Sequence, residues 1–372
     1  MKIFITGGTG FIGSAVARRL LARGEAVTVL DNQSRRIHDL ESLGAAAVIG
    51  DVRDAEHVRR VIAGADAVIH CAGLPKQASW RAYRGVHIDG TRNVLSAAAD
   101  AGVRRVVHVS SHSAMFSGVD LPRMEESDPY PSRFIDPYSE TKAAGERAAL
   151  EFHGRNGMEV TVIRPDVVWG RGDTTILPIM AKLSRSPLGI PMCGDGSNIE
   201  ATSHIENLVD GIILGLDSPA SPGRVYLISD GFHVSWKEFL ARQVEAAGVP
   251  AKFRRVPLWL AAPGAWILDK AAGAVGLPVP LARFGVWTSV TSRIVTSTRA
   301  ADELGYRAKV GFEAGLADLA AWVQEIGGTE VLLSSGGKGA GVRTSRPMSQ
   351  HAGDASTQRP WVSPGLADSR GA

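Results

Sequence analysis

Tyr138 and Lys142 stand four residues apart in the segment Pro137-Tyr-Ser-Glu-Thr-Lys142. On a helix, residues at i and i+4 share one face. A free phenol titrates near pH ~10, too high for an efficient base at neutral pH. An ammonium held within a few ångströms favours the phenolate and lowers that pKa. The pair is therefore suited to taking a proton from an alcohol or returning one to a carbonyl. The same spacing also occurs on exposed helices as an ordinary surface contact, so its meaning depends on what stands upstream.

The amino terminus supplies that context. Lys2-Ile-Phe-Ile-Thr6 is a short apolar run, followed at once by Gly7-Gly8-Thr9-Gly10-Phe11-Ile12-Gly13. Ser14 to Arg23 then places Ala15, Val16, Leu20 and Leu21 at helical spacing, Gly24 closes the helix, and Ala26-Val-Thr-Val-Leu30 runs into Asp31. The order is strand, glycine turn, helix, strand, acid. Glycines allow a tight turn and a close backbone approach to a pyrophosphate, while the helix amino terminus offers free N–H groups to that anion. Asp31 stands where a carboxylate accepts from adenosine ribose hydroxyls, and its charge disfavours a 2′-phosphate, which points to NAD over NADP. Arg35 and Arg36 follow closely and either soften that preference or, the commoner case, stand as solvated loop charges.

Further strands and helices alternate. Ala46-Ala-Val-Ile-Gly50 leads to Asp51-Val52; Ala67 to Gly73 is a strand and turn; Val86 to Ala101 reads as one helix. Val106-Val-His-Val-Ser-Ser111 and Val160-Thr-Val-Ile-Arg-Pro165 are the next strands. This alternation predicts an α/β fold, a doubly wound parallel-sheet Rossmann domain over residues 1–165 with some later elements returning to it. A smaller, mixed substrate lobe is expected over 166–326. Ligands bind beyond the strand carboxyl ends, which is where Gly7 to Gly13, Asp31, Asp51, Cys71 to Gly73, Ser110 and Ser111 fall.

Taken in order, TGGTGFIG, Asp31, Asp51-Val52, His70-Cys-Ala-Gly73, Gly90-Thr-Arg-Asn-Val-Leu95, Val109-Ser-Ser111, Tyr138-xxx-Lys142 and Arg164-Pro165 resemble the extended short-chain dehydrogenase/reductases, the superfamily of NAD-dependent epimerases, dehydratases and 3β-hydroxysteroid dehydrogenases. The resemblance covers residues 1–326. It implies NAD as cofactor, with Gly7, Gly8, Thr9, Gly10, Phe11, Ile12 and Gly13 as the dinucleotide turn. It also implies Asp51 and Val52 beside the adenine, Cys71, Ala72 and Gly73 beside a cofactor ribose, and Pro165 through Val168 bordering the nicotinamide. Ser111 becomes the triad hydroxyl, Tyr138 the acid/base and Lys142 its partner, holding the nicotinamide ribose. Ser110 and Ser113 rival Ser111, because the segment Ser111 to Gly118 is one residue longer than the family's usual spacing. His87 stands where such enzymes generally have Asn, as a structural group or a proton relay, and His112 either faces the substrate or fills its loop.

Within the superfamily, dehydratases need an acidic pair beside the triad hydroxyl, and this chain has Ser110-Ser111-His112 instead. His204-Ile-Glu-Asn207, Gly223 to Asp230, the apolar stretch from Val256 to Leu281, Arg283-Phe284-Gly285-Val286 and Thr298 to Tyr306 are similar in order to 3β-hydroxysteroid and sterol-4-carboxylate 3-dehydrogenases. That branch implies oxidoreduction of a secondary alcohol and ketone on a lipophilic, steroid- or sterol-like substrate, with decarboxylation to follow where a carboxylate sits beta to the alcohol. A sugar-nucleotide 4-epimerase is the first alternative. A non-catalytic NAD-binding regulatory protein is the second.

The apolar stretch is interrupted by Pro263, Asp269, Lys270, Gly273, Pro278 and Pro280, so it lacks the ~20 apolar residues of a spanning helix. Trp259 and Trp266, with Lys252, Arg254 and Arg255 nearby, suit a peripheral membrane contact through 256–281; a lid or an oligomer contact such as a homodimer interface is the other reading. A formal net charge of +3 gives no case for nucleic acid. Two cysteines, Cys71 and Cys193, and no zinc-type spacing predict neither disulfide nor metal and a reducing, cytoplasmic setting, with or without membrane association. The first strand begins at Lys2, leaving no room for a signal peptide. From Gly327 the composition turns to Gly, Ser, Arg, Pro and Gln, which reads as a disordered tail over 327–372.

Overall fold

Each apolar strand run near the amino terminus pairs with its neighbours in parallel in the computed structural model of the protein, which describes residues 1–33, 37–74, 78–275 and 282–334. The strands are β1 (Lys2–Thr6), β2 (Ala26–Asp31), β3 (Ala46–Ile49), β4 (Ala67–His70) and β5 (Arg105–Val109), then β6 (Leu121–Met124) outside the main sheet and β7 (Glu159–Pro165) within it. After β8 (Val167–Trp169), β9 (Ile190–Cys193) and β10 (Thr202–His204) comes β11 (Val225–Ile228), then β12 (Phe253–Val256) and β13 (Arg293–Val295). The main sheet runs β11-β7-β5-β4-β1-β2-β3, and all its pairings are parallel. The strand order reverses between β1 and β4, and open α/β sheets bind ligands at such a switch point.

Alternation along β1 shows why both faces are covered. Ile3 and Ile5 join a core with Val16 and Leu20 of the helix Phe11–Ala22 and with Leu208 and Ile212 of the helix Ile205–Asp217. Phe4 joins a second core with Val94, Leu95 and Ala98 of the helix Thr91–Asp100. Successive strand side chains face opposite ways, so a Val- and Ile-rich run buries itself against a helical layer on each side. A third core, around Trp169, Met192, Trp236, Phe239 and Leu240, serves the carboxyl-terminal part. There β8 pairs β10 and β9 pairs β12.

Two sequence expectations change, and one segment gains a defined element. The stretch Val86 to Ala101 is not one α-helix: Gly85–Gly90 forms a π-helical turn before Thr91–Asp100. The Thr91 hydroxyl donates to His87 O at 2.7 Å, competing for a helix carbonyl. Residues Gly223 to Asp230, read only as a familiar segment, contain β11, which closes the sheet beside β7. The compositional tail does not start at Gly327, because Thr329–Ser334 is a helix with Leu332 and Leu333 buried. Arg35, Arg36, Leu277, Val279 and the tail from 335 lie outside the described residues. Among the described residues no helix is long and apolar enough to cross a membrane.

Candidate active site

The glycine turn is built for a close neighbour. Gly7 has φ +67°, and a Cβ there would stand 2.8 Å from Ala72 Cα; a Cβ at Gly13 would stand 2.1 Å from Gly7 O. Side chains are thus excluded at Gly7 and Gly13, and the turn's backbone leads into the amino terminus of the helix Phe11–Ala22, whose N-cap Gly10 carries no capping side chain. This is a backbone cradle of the kind a pyrophosphate requires. Phe11 and Ile12 pack against the core behind it. Asp31, buried at the end of β2, accepts from Thr9 N at 3.0 Å and Gln33 N at 2.9 Å, which ties the acid to the turn.

Asp51 follows β3 one residue after Gly50, whose N–H bonds Asp31 O at 3.0 Å. Arg53 grips the Asp51 carboxylate through Nε at 2.9 Å and holds it below its ordinary pKa. Val52 is buried, and its carbonyl accepts from Asn93 at 3.0 Å. Beyond β4, Cys71 N bonds Thr6 O at 3.1 Å and Ala72 N bonds Thr6 Oγ1 at 3.3 Å, so Cys71 to Gly73 lies along the glycine turn. Burial pushes the Cys71 thiol up to about 12, against the nearby Lys142 ammonium. The free Cys71 and Cys193 form no disulfide.

Asp136 caps the helix Pro137–Leu150 by accepting from Ser139 N at 2.9 Å, with Pro137 in its first turn. That puts Tyr138 in the first turn and Lys142 one turn on. Lys142 Nζ donates to Val109 O at 2.9 Å, at the end of β5. The phenol ring is boxed by Tyr83, His87 and Phe284, with ring centroids 5.8, 5.6 and 6.4 Å away. The Ser111 hydroxyl accepts from Ser113 N at 3.1 Å and acts to lower the Tyr138 phenol. Ser110 points elsewhere, donating to the buried Glu146 carboxylate.

The electrostatics correct one expectation. Tyr138 is not lowered by Lys142; burial pushes the phenol up to about 12, opposed by the Ser111 hydroxyl and reinforced by Asp136. Burial likewise brings Lys142 down to about 8, opposed by Glu146. Desolvation of the charged form is the largest cause at both positions, outweighing the Ser111 hydroxyl at Tyr138 and the Glu146 charge at Lys142.

Several residues near the site escaped the sequence reading. Glu146 lies one further turn along from Lys142 and accepts from Ser110, from Tyr130 at 2.7 Å and from Arg164 at 2.6 Å. Its i+4 spacing from Lys142 was the available signal. His112 does not simply fill its loop: its Nδ1 is 3.3 Å from Asp166 and its Nε2 is 3.5 Å from Glu200, which pairs with Arg293 at 2.8 Å. Pro165 ends β7, and Val168 sits in β8 beside the first core.

The sequence profile of the 3-beta hydroxysteroid dehydrogenase/isomerase family matches residues 4–258. The chain belongs to that family. The family consists of oxidoreductases on an NAD-binding Rossmann fold and lies within the extended short-chain dehydrogenase/reductases. A 3-beta-hydroxysteroid dehydrogenase of Mycolicibacterium neoaurum is 32% identical over 263 residues, covering 66% of this chain and 70% of that protein. The 4-hydroxy-2-methyl-3-oxo-4-farnesyl-3,4-dihydroquinoline-1-oxide ketoreductase of Stigmatella aurantiaca is 30% identical, covering 85% and 95%. A dTDP-glucose 4,6-dehydratase of Streptomyces venezuelae, solved with NAD bound, matches with TM-score 0.70 at 26% identity over 87% of this chain and 97% of that one.

Proposed function

We propose that this member of the family is an NAD(H)-dependent oxidoreductase interconverting a secondary alcohol and a ketone on a lipophilic, steroid- or sterol-like substrate. The observation that carries this reading is that the Tyr138 helix meets the carboxyl end of β5, where Lys142 Nζ bonds Val109 O two residues before Ser111, in the same sheet as the strand that leads into the glycine turn. Gly7 to Gly13 would hold the pyrophosphate, Asp31 the adenosine ribose, Asp51 and Val52 the adenine, and Cys71 to Gly73 a ribose. Pro165 to Val168 would border the nicotinamide, which when bound supplies or accepts the hydride. Ser111 orients the substrate oxygen, and Tyr138 gives it or takes from it one proton. A phenol raised to about 12 is protonated at neutral pH and ready to donate to a carbonyl. Lys142 holds a cofactor ribose, and residues 166–326 provide most of the substrate lobe.

The two relatives above, one acting on a 3β-hydroxysteroid and one on a farnesylated ring, support a greasy substrate. A panel of sterols and steroids, followed by NADH absorbance in both directions, tests the reading. Tyr138→Phe should cut turnover by about 10²–10⁴-fold while NADH binding stays near normal; undiminished turnover sinks the proton role. An epimerase would instead convert a UDP-sugar with no net change in NADH.

The helix Leu258–Val275 carries a second part of the proposal. Trp259, Trp266 and Ile267 are 77%, 51% and 59% exposed, whereas Ala265 is buried. Arg254 and Arg255 on β12 are exposed beside it in sequence. Bulky apolar groups with adjacent cations suit the surface of an anionic membrane. Cosedimentation with phosphatidylserine vesicles should be lost in a Trp259→Ser/Trp266→Ser variant, and binding that persists unchanged would assign this face another partner.

A further inference from the structure

His87 lies buried on the π-helical turn Gly85–Gly90, and its two ring nitrogens have partners of opposite kind. Nε2 is 3.0 Å from the Leu74 amide, which can only donate. Nε2 is therefore the acceptor, and the ring proton of the neutral imidazole sits on Nδ1. Nδ1 is 3.0 Å from Thr141 Oγ1. That hydroxyl donates onward to Pro137 O at 2.7 Å, a carbonyl that can only accept. A single directed chain results: Leu74 N–H to His87, His87 N–H to Thr141, Thr141 O–H to Pro137.

The ends of this chain are what give it consequence. Leu74 closes the turn Cys71 to Gly73, which packs on Gly7. Pro137 is bonded directly to Tyr138, and the His87 ring meets the Tyr138 ring edge-on at 5.6 Å and 80°. Burial keeps the imidazole well below its ordinary pKa, so the neutral form that the Leu74 contact requires persists across the physiological range.

We propose that His87 is a positioning residue that locks the nucleotide-facing turn Cys71–Leu74 to the first turn of the Tyr138 helix, so that cofactor seating and phenol placement are set together. The proposal rests on reading the glycine turn and Cys71 to Gly73 as the NAD site. A histidine that merely fills space makes a different prediction, namely that folded variants of similar bulk bind cofactor alike.

Isosteres separate the two. The terminal oxygen of Gln reaches the place of Nε2 and keeps the acceptor for Leu74, while the amide of Asn reaches only the place of Nδ1 and Thr141. NADH fluorescence titration of the full chain supplies the affinity, and thermal unfolding of the same samples reports folding. His87→Phe should weaken NADH roughly tenfold, the usual scale for a lost hydrogen bond in a partly buried site. His87→Gln should restore most of that loss, and His87→Asn should not, at similar melting temperatures. Equal affinities for the Gln and Asn variants, or a Phe variant within about twofold of wild type, would overturn the lock. Failure of the wild-type chain to bind NADH would overturn the site reading and the lock with it. Should the variants not fold, hydrogen exchange in the wild type still decides: the Leu74 amide should be protected, and exchange at the rate of open chain refutes the contact.

Discussion

Adjacent serines at the end of β5 have separate duties, and Glu146 explains the division. Ser110 is drawn toward the Glu146 carboxylate, which also receives Tyr130 and Arg164, whereas Ser111 accepts from Ser113 N and is the proposed partner of the phenol. Glu146 and Arg164 are almost wholly buried, with side-chain exposures of 0% and 2%. Removing one partner of a buried pair leaves an uncompensated charge and costs about 3–5 kcal/mol. Glu146→Gln should therefore lower the denaturant-derived stability on that scale, with activity falling only as the fold is lost. Ser111→Ala should do the reverse: about 1 kcal/mol in stability, from the lost acceptor for Ser113 N, and a turnover loss of about 10²-fold. Equal stability losses in the two variants would show that the serines share one structural role. The pair Tyr138 and Lys142 was legible because helical spacing alone puts them on one face. The direction of their pKa shifts was not, since desolvation depends on what the remaining elements bury over them.

The same limit operates between elements. Strand, glycine turn and helix were readable because the left-handed backbone at Gly7 and the close approach of Gly7 O at Gly13 leave no alternative residue. The π-helical turn Gly85–Gly90 was not, since one extra backbone residue leaves the apolar pattern of Val86 to Leu95 nearly unchanged. What stabilises that turn is its fit against the Tyr138 helix at Gly145. A Cβ at Gly145 would stand 2.2 Å from His87 O, which is backbone and cannot swing away. Gly145→Ala should destabilise the protein by about 1–3 kcal/mol as the two elements are forced apart, and NADH binding should weaken because His87 moves with its carbonyl. Gly264, in the exposed helix Leu258–Val275, has nothing within 4 Å of an added Cβ. Gly264→Ala should therefore be neutral or stabilising by up to about 1 kcal/mol from helix propensity. Denaturant melts of the pair check both signs, and a Gly145→Ala protein as stable as wild type would remove the close approach from the account.

At the scale of the whole molecule, residues that end strands of one sheet could be placed together from the sequence, because a parallel sheet aligns its carboxyl ends. The cluster of His112, Asp166, Glu200 and Arg293 could not, because its members come from four distant segments with no shared local spacing. That cluster belongs to a larger buried population with a consequence for acid stability. Burial holds His70 and His112 down to about 3 and His204 to about 4, and lowers His87 and His108 as well. It raises Asp230 to about 6 and also raises Asp136, Asp166, Asp173 and Glu200. Between about pH 7 and about pH 6 the unfolded chain binds protons at histidines, near pH ~6.5, that the native state refuses, so stability falls as pH falls. Each imidazole contributes at most about 1.4 kcal/mol per pH unit. Below about pH 6 the native carboxyls begin to hold protons that unfolded carboxylates, titrating near pH ~4, do not, and this slope has the opposite sign. Stability should thus drop on first acidification and keep falling toward about pH 4, less steeply than the histidines alone would make it, because they still gain protons only on unfolding while the buried acids offset part of that slope. Denaturant midpoints measured from about pH 7 to about pH 4 follow the two slopes directly. A decline below pH ~6 as steep as the histidines alone would give would mean the buried acids are ionised in the native protein, and a flat curve above pH ~6 would mean the histidines are open to water.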